Sequence, residues 1–86
     1  MADKLRLVVV TPDNIFYDND VDMVIFRSTE GDRGILKNHR PLVAGVKAGD
    51  MRIKINGQFT EAKISEGFIN VTKEKAVILT ESARWA

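Results

Sequence analysis

One stretch of this 86-residue chain, TEGDRGILKNHRPL from Thr29 to Leu42, concentrates most of its chemistry-bearing side chains. It holds Glu30, Asp32, Arg33, Lys37, Arg40, two glycines and the only histidine, His39. Such a set suggests three chemistries. A histidine beside a hydroxyl could drive acyl transfer, paired glycines could cradle a phosphate, and interleaved bases could grip nucleic acid. Each template lacks a partner. The serines open to His39 are Ser28, Ser65 and Ser82, and none sits in a G-x-S-x-G elbow. Zinc at His39 would have to draw its other ligands from carboxylates, because the chain has no cysteine. Gly31 and Gly34 form GxxG, which matches neither a P-loop nor a dinucleotide fingerprint. RNA or single-strand binding calls for aromatics among the bases, and residues 29–42 contain none. Asp18, Asp20 and Asp22 begin like a calcium loop, but Met23 stands where glycine must turn and Thr29 where a glutamate must bind. The expectation is no catalytic residue, no metal site and no cofactor.

The elements that must carry these residues read as strands. Leu5, Leu7 and Val9 alternate with Lys4 and Arg6 before an apolar run to Val10. Thr11-Pro12-Asp13-Asn14 is a turn. Tyr17, Val21, Met23 and Ile25 are expected on one face of a continuing strand, with Asp18, Asp20 and Asp22 on the other. Asn56-Gly57 is a two-residue hairpin turn. It sets Ile55 against Gln58, Ile53 against Thr60 and Met51 against Ala62 on one face. Arg52 then meets Glu61, and Asp50 meets Lys63, on the other. Gly34 is read as turn-forming, and Gly67 as a bend or a close backbone approach. AVILT reads as a buried strand. The tail ESARWA is tolerable in a helix. Short strands with frequent turns mean an all-β sandwich or barrel.

Composition bounds the partners. Apolar residues make up 44% and charged residues 29%, with a net charge of +1. One domain with a thin core fits this length. The charge balance argues against a nucleic-acid binder, which usually carries a concentrated basic face. Absent cysteine is compatible with a reducing compartment. MADKLRLVVV lacks a secretory signal, and its apolar run is far short of a membrane span. The reading is a soluble protein that meets a membrane only through a partner.

The long pattern Thr29-Glu30-Gly31-Asp32-Arg33-Gly34-Ile35-Leu36-Lys37-Asn38-His39-Arg40-Pro41-Leu42 resembles the epsilon subunit of the F-type ATP synthase. LRLVVVTPDNIFYD, VKAGDMRIK, SEGFINV and AVILTESA are similar to that family in the same order, so the resemblance covers residues 4–83. It implies a ten-stranded β-sandwich of two antiparallel sheets over residues 1–84. Residues 85–86 would then begin a C-terminal helical domain that this chain lacks. The family's inhibitory and ATP-binding roles lie in those helices and are not carried over.

The resemblance further implies a non-catalytic rotor subunit of the central stalk, coupling ion translocation to ATP synthesis. The family's c-ring loop matches Glu30, Gly31 and Asp32, with Arg33 beside it. Its gamma-facing positions match Thr11, His39 and Ala44. The location implied is the cytoplasmic face of an energy-transducing membrane, a bacterial plasma membrane. From the residues alone, a free-standing module that binds a small ligand or peptide is the alternative.

Overall fold

The computed structural model describes residues 4–86. The expected domain start, residues 1–3, lies outside them. Ten strands form two five-stranded sheets. The first runs β2 (Ile15–Val21), β1 (Leu5–Val10), β9 (Lys75–Thr80), β8 (Gly67–Val71), β5 (Leu42–Val46). The second runs β10 (Ala83–Trp85), β7 (Gln58–Ile64), β6 (Gly49–Ile55), β3 (Met23–Ser28), β4 (Gly31–Ile35). The expected ten-stranded sandwich is the observed one. Its sheets are not wholly antiparallel, however, because β1 and β9 run side by side in the same direction. The chain passes through β2 to β8 between them, ample length for the crossover that a parallel pair requires.

The core follows from alternation. Leu5, Leu7 and Val9 of β1 are fully buried, as are Ile69 of β8 and Ile78 of β9. Val24, Phe26, Ile35 and Met51 meet them from the other sheet. Each such side chain contributes about 1.5–3 kcal/mol relative to exposure.

The alternation breaks at Asp22. Its N–H bonds the Lys54 carbonyl at 2.8 Å, so the chain leaves the first sheet after Val21 and joins the second. This corner shifts the phase by one residue. Val24 and Phe26 therefore point inward, whereas Ile25 stands on the outer face opposite Arg52 and Gly34. The expectation that Met23 and Ile25 share a face with Tyr17 and Val21 is corrected accordingly. Asp22 pins the corner: Lys4 Nζ donates to it at 2.5 Å and the Asn56 N–H at 2.7 Å. The Lys4 ammonium, foremost, holds the Asp22 carboxyl below the usual carboxylate range; desolvation opposes it, and N–H groups of the hairpin turn assist.

Asn56 and Gly57 take φ of 50° and 82°, and the β6–β7 register matches the sequence-derived one at every expected pair. Lys63 bonds Asp50 across the hairpin and lowers its carboxyl pKa. Arg52 stands opposite Glu61, but its guanidinium lies 3.6 Å from Asp32. Gly67 is the close approach that its position suggested: a Cβ there would fall 1.9 Å from the Leu79 carbonyl oxygen. Gly34 is not a turn residue. It lies within β4 opposite Ile25, where a Cβ would crowd the Met23 sulfur at 3.3 Å.

The tail is strand rather than helix. Ala83–Trp85 pairs with β7, and Trp85 stacks on Phe16 at 4.7 Å and on Tyr17 at 5.6 Å. Trp85 thus belongs to the sandwich, where it ties edge strand β10 of one sheet to edge strand β2 of the other.

Candidate functional site

The crowded stretch 29–42 does not form one site. Strand β4 separates its halves by roughly 16 Å, at about 3.3 Å per residue. At one end, Ser28, Thr29, Glu30 and Gly31 make the β3–β4 turn. Ser28 is buried; its hydroxyl donates to the Gly31 carbonyl at 2.7 Å and accepts from the Glu30 N–H at 3.2 Å. Gly31 has φ 107°, a backbone conformation that glycine adopts without the Cβ penalty. Glu30 is exposed at the tip. Asp32 and Arg33 then diverge. Asp32 turns to the outer face beside Arg27 at 3.8 Å and Arg52 at 3.6 Å. Arg33 stands opposite buried Phe26, on the inner side of edge strand β4.

His39 lies at the other end, in the loop from β4 to β5. Its Nδ1 donates to the Arg40 carbonyl at 2.7 Å. Asn38, with φ 69°, donates its N–H to the Lys73 carbonyl at 2.7 Å and ties this loop to the β8–β9 turn. Ser28, Ser65 and Ser82 all sit at the opposite end. Ser65 bonds the Thr80 hydroxyl at 2.8 Å, and its hydroxyl accepts the Ser82 N–H at 2.9 Å. No serine meets the histidine.

Among the described residues, no three His, Asp or Glu side chains gather as a metal site. Arg6 takes Asp18 at 2.7 Å and Asp20 at 3.3 Å. The Asp18 hydrogen bond, foremost, raises the Arg6 pKa. No helix among these residues is long and apolar enough to cross a membrane.

Thr11 closes the β1–β2 turn, its hydroxyl donating to the Asn14 carbonyl at 3.1 Å. Ala44 sits mid-strand in β5 opposite buried Ile69, so its methyl packs toward the core. Strand β5 therefore presents Val43 and Gly45 outward. Thr11, Ala44 and His39 lie along the length of the molecule rather than as a cluster.

What the sequence reading missed is an apolar row across the first sheet. Cross-strand pairing aligns Gly45, Phe68, Leu79, Val10 and Ile15 on its outer face. Phe68 is 63% exposed, Leu79 51% and Ile15 59%. The next row holds Val43, Asn70, Val77 and Val8, and Val43 is 70% exposed. The signal was available. With Ile69 and Ile78 inward, alternation sends Phe68 and Leu79 outward, a face that reading AVILT as a buried strand overlooks. A groove of about 750 Å³ opens on this row, lined by Thr11, Thr29, Gly45, Phe68 and Leu79. The second sheet's outer face is instead charged, with Asp32, Arg27, Arg52, Asp50 and Lys63. Phe59 there lies beneath Arg52 and Lys54, at 5.9 and 5.6 Å.

The sandwich thus carries an exposed apolar row on one outer face, charged pairs on the other and an exposed Glu30 at the β3–β4 turn. The chain belongs to the family described as ATP synthase, Delta/Epsilon chain, beta-sandwich domain, which matches residues 4–86. It is 54% identical over 85 residues to the ATP synthase epsilon chain of Alkaliphilus oremlandii, covering 99% of this chain and 63% of that one. The ATP synthase epsilon chain of Alkaliphilus metalliredigens is 45% identical over 85 residues, with the same coverage. The chain thus spans less than two thirds of the length of these relatives.

The fold also matches a chain of the Euglena gracilis mitochondrial ATP synthase, in a structure of OSCP/F1/c-ring. The TM-score is 0.89 at 24% identity, over 95% of this chain and 53% of that one. A chain of the central stalk/c-ring of the Tetrahymena thermophila mitochondrial ATP synthase matches with TM-score 0.78 at 12% identity, over 94% and 66%.

Proposed function

We propose that this sandwich belongs to a non-catalytic central-stalk subunit that docks on the gamma subunit and on the c ring. It would thereby couple ion translocation to ATP synthesis. The observation that carries this reading is the exposed apolar row Phe68–Leu79–Ile15, beside Val43. A contiguous apolar face on a small sandwich marks a protein contact, and family membership makes a stalk partner the fitting one.

Gamma docks on this row, with Thr11 at its rim. The ring takes the turn at Glu30, Gly31 and Asp32, with Arg33 inward beside it. His39 and Ala44 serve gamma through the far loop and the β5 backbone rather than through one patch. Charge at the ring turn sets orientation and encounter more than affinity. The subunit would be peripheral, on the cytoplasmic face of a bacterial plasma membrane, held there through the complex and without a cofactor of its own.

Two measurements test the reading. Cysteine at Glu30 or Asp32 should crosslink to c subunits in assembled membranes, and gamma should co-purify with the chain. Failure of both removes the proposal. The groove favours a second reading, a small apolar ligand held by Thr11, Phe68 and Leu79. Ligand-dependent NMR shifts at these residues, in a chain that does not bind gamma, would favour it.

A further inference from the structure

The sandwich has four edge strands, β2, β5, β10 and β4. Proteins protect such edges with charge, bulges or brevity, because an edge offers unpaired N–H and C=O groups. Three of the four are protected here. Strand β2 carries Asp18 and Asp20 and faces a register shift at Val9/Val10. Strand β4 carries Asp32 and Arg33. Strand β10 is three residues long and includes Arg84. Strand β5, LVAGV, has five residues and no charge. It pairs with β8 alone. Among the described residues, the other backbone bond near it is from the Lys47 N–H, just past the strand, to the Arg27 carbonyl. Every second residue of β5 thus turns its polar backbone groups away from the sheet.

The side chains around this edge specify an occupant. Gly45 stands opposite Phe68 in the apolar row, and a Cβ built on Gly45 meets nothing within 4 Å. The row therefore stops at an empty position, level with the groove. A neighbouring strand would place an apolar side chain over Gly45 and against Phe68, an arrangement that stabilises edge glycines. The flanks are basic. From Arg33 to Gly49 the sequence holds Arg33, Lys37, Arg40 and Lys47 and no acidic residue. A second copy of this chain suits that edge poorly. Antiparallel self-pairing centred on Ala44 sets Pro41 opposite Lys47 and brings Arg40 beside it, like charge against like.

We infer that β5 is a strand-addition site. It receives an extended segment of the gamma subunit, with an apolar residue opposite Gly45 and acidic residues meeting Arg40 and Lys47. This rests on the proposed gamma docking and specifies its form: main-chain bonds at the edge supply the contact, and the Gly45 position supplies the selectivity.

The test mixes isotope-labelled chain with the gamma subunit of the same synthase and follows amide exchange. The amides of residues 42–46 that turn away from β8 should slow by about tenfold or more, as new main-chain bonds require. Replacing Arg40→Glu and Lys47→Glu together should lower the association rate by about tenfold. Both residues are exposed, so the unfolding midpoint should stay unchanged. Val43→Lys, a natural edge-blocking residue, should weaken binding as well. If gamma binds and Phe68→Ala weakens it while the β5 amides exchange as in the free chain, strand addition is overturned and docking stands. If gamma does not bind at all, both readings fall. If sedimentation shows that the chain alone dimerises and slows the same amides, the occupant is a second copy and the inference is wrong.

Discussion

Gly67 and Gly45 sit on neighbouring strands and serve opposite purposes. At Gly67 a methyl group would strike the Leu79 carbonyl, which is backbone and cannot swing aside. Gly67→Ala should therefore cost about 1–3 kcal/mol, the usual range for forced overpacking. Gly45→Ala, in open space, should change stability by less than about 0.5 kcal/mol. Urea unfolding of both variants checks the contrast, and equal losses would refute it. Asp22 gives a pH prediction. Its folded pKa is depressed, chiefly by Lys4, so the unfolded chain binds the proton more readily. Its stabilisation is complete above the unfolded value of about 3.9 and is lost as pH falls through the lower folded value. Asp50, depressed by Lys63, adds in the same direction. Asp22→Asn should flatten the acid side of the stability profile below about pH 4. An unchanged slope in acid titration would show that the corner ion pair is idle. At this scale Gly67 was legible, because a glycine inside an alternating run signals a close approach. Ala44 was not, because a motif position does not say which way a strand residue points.

Elements were legible where a local signal fixed the phase. Asn56-Gly57 admits one turn, and the β6–β7 register follows from it. The β2–β3 corner carried no such signal. Asp22 looked like one more polar position in an unbroken alternation, and only the second sheet's ladder shows that the chain has changed layers. Strand β10 was equally hidden, since three residues are too few to show a period. Its place depends on tertiary contact, Trp85 against Phe16 and Tyr17. Trp85→Ala should lower stability by about 0.5–1.5 kcal/mol for the lost aromatic pairing. It should also release β10 before the rest of the sandwich, seen as faster exchange of the amides of 83–85. If those amides keep their protection, the β7 ladder alone holds the strand.

At the scale of the whole molecule, what matters is how the surfaces are distributed. The chain measures 34 Å along its longest axis, with an apolar row on one outer face, charged pairs on the opposite face and the Glu30 turn at one end. The sequence brought Glu30 and His39 within ten residues of each other, but β4 holds them at opposite ends. Under the proposed docking, such a sandwich is held on its side by one partner and by its tip by another. The two contacts should then fail separately. Phe68 is already exposed, so Phe68→Ala should leave the unfolding midpoint unchanged. Removing a central aromatic contact typically costs about 2 kcal/mol of binding. If gamma docks on this row as proposed, its affinity should therefore fall by roughly 30-fold, at 1.4 kcal/mol per tenfold. Glu30→Lys at the tip should leave gamma affinity unchanged, but reduce crosslinking to the c subunits and ion-driven ATP synthesis in reconstituted membranes. Calorimetry with gamma and synthesis assays on the same two variants decide the matter. If either substitution impaired both contacts equally, the sandwich would present one continuous interface, and the proposed docking of two separate partners would be wrong.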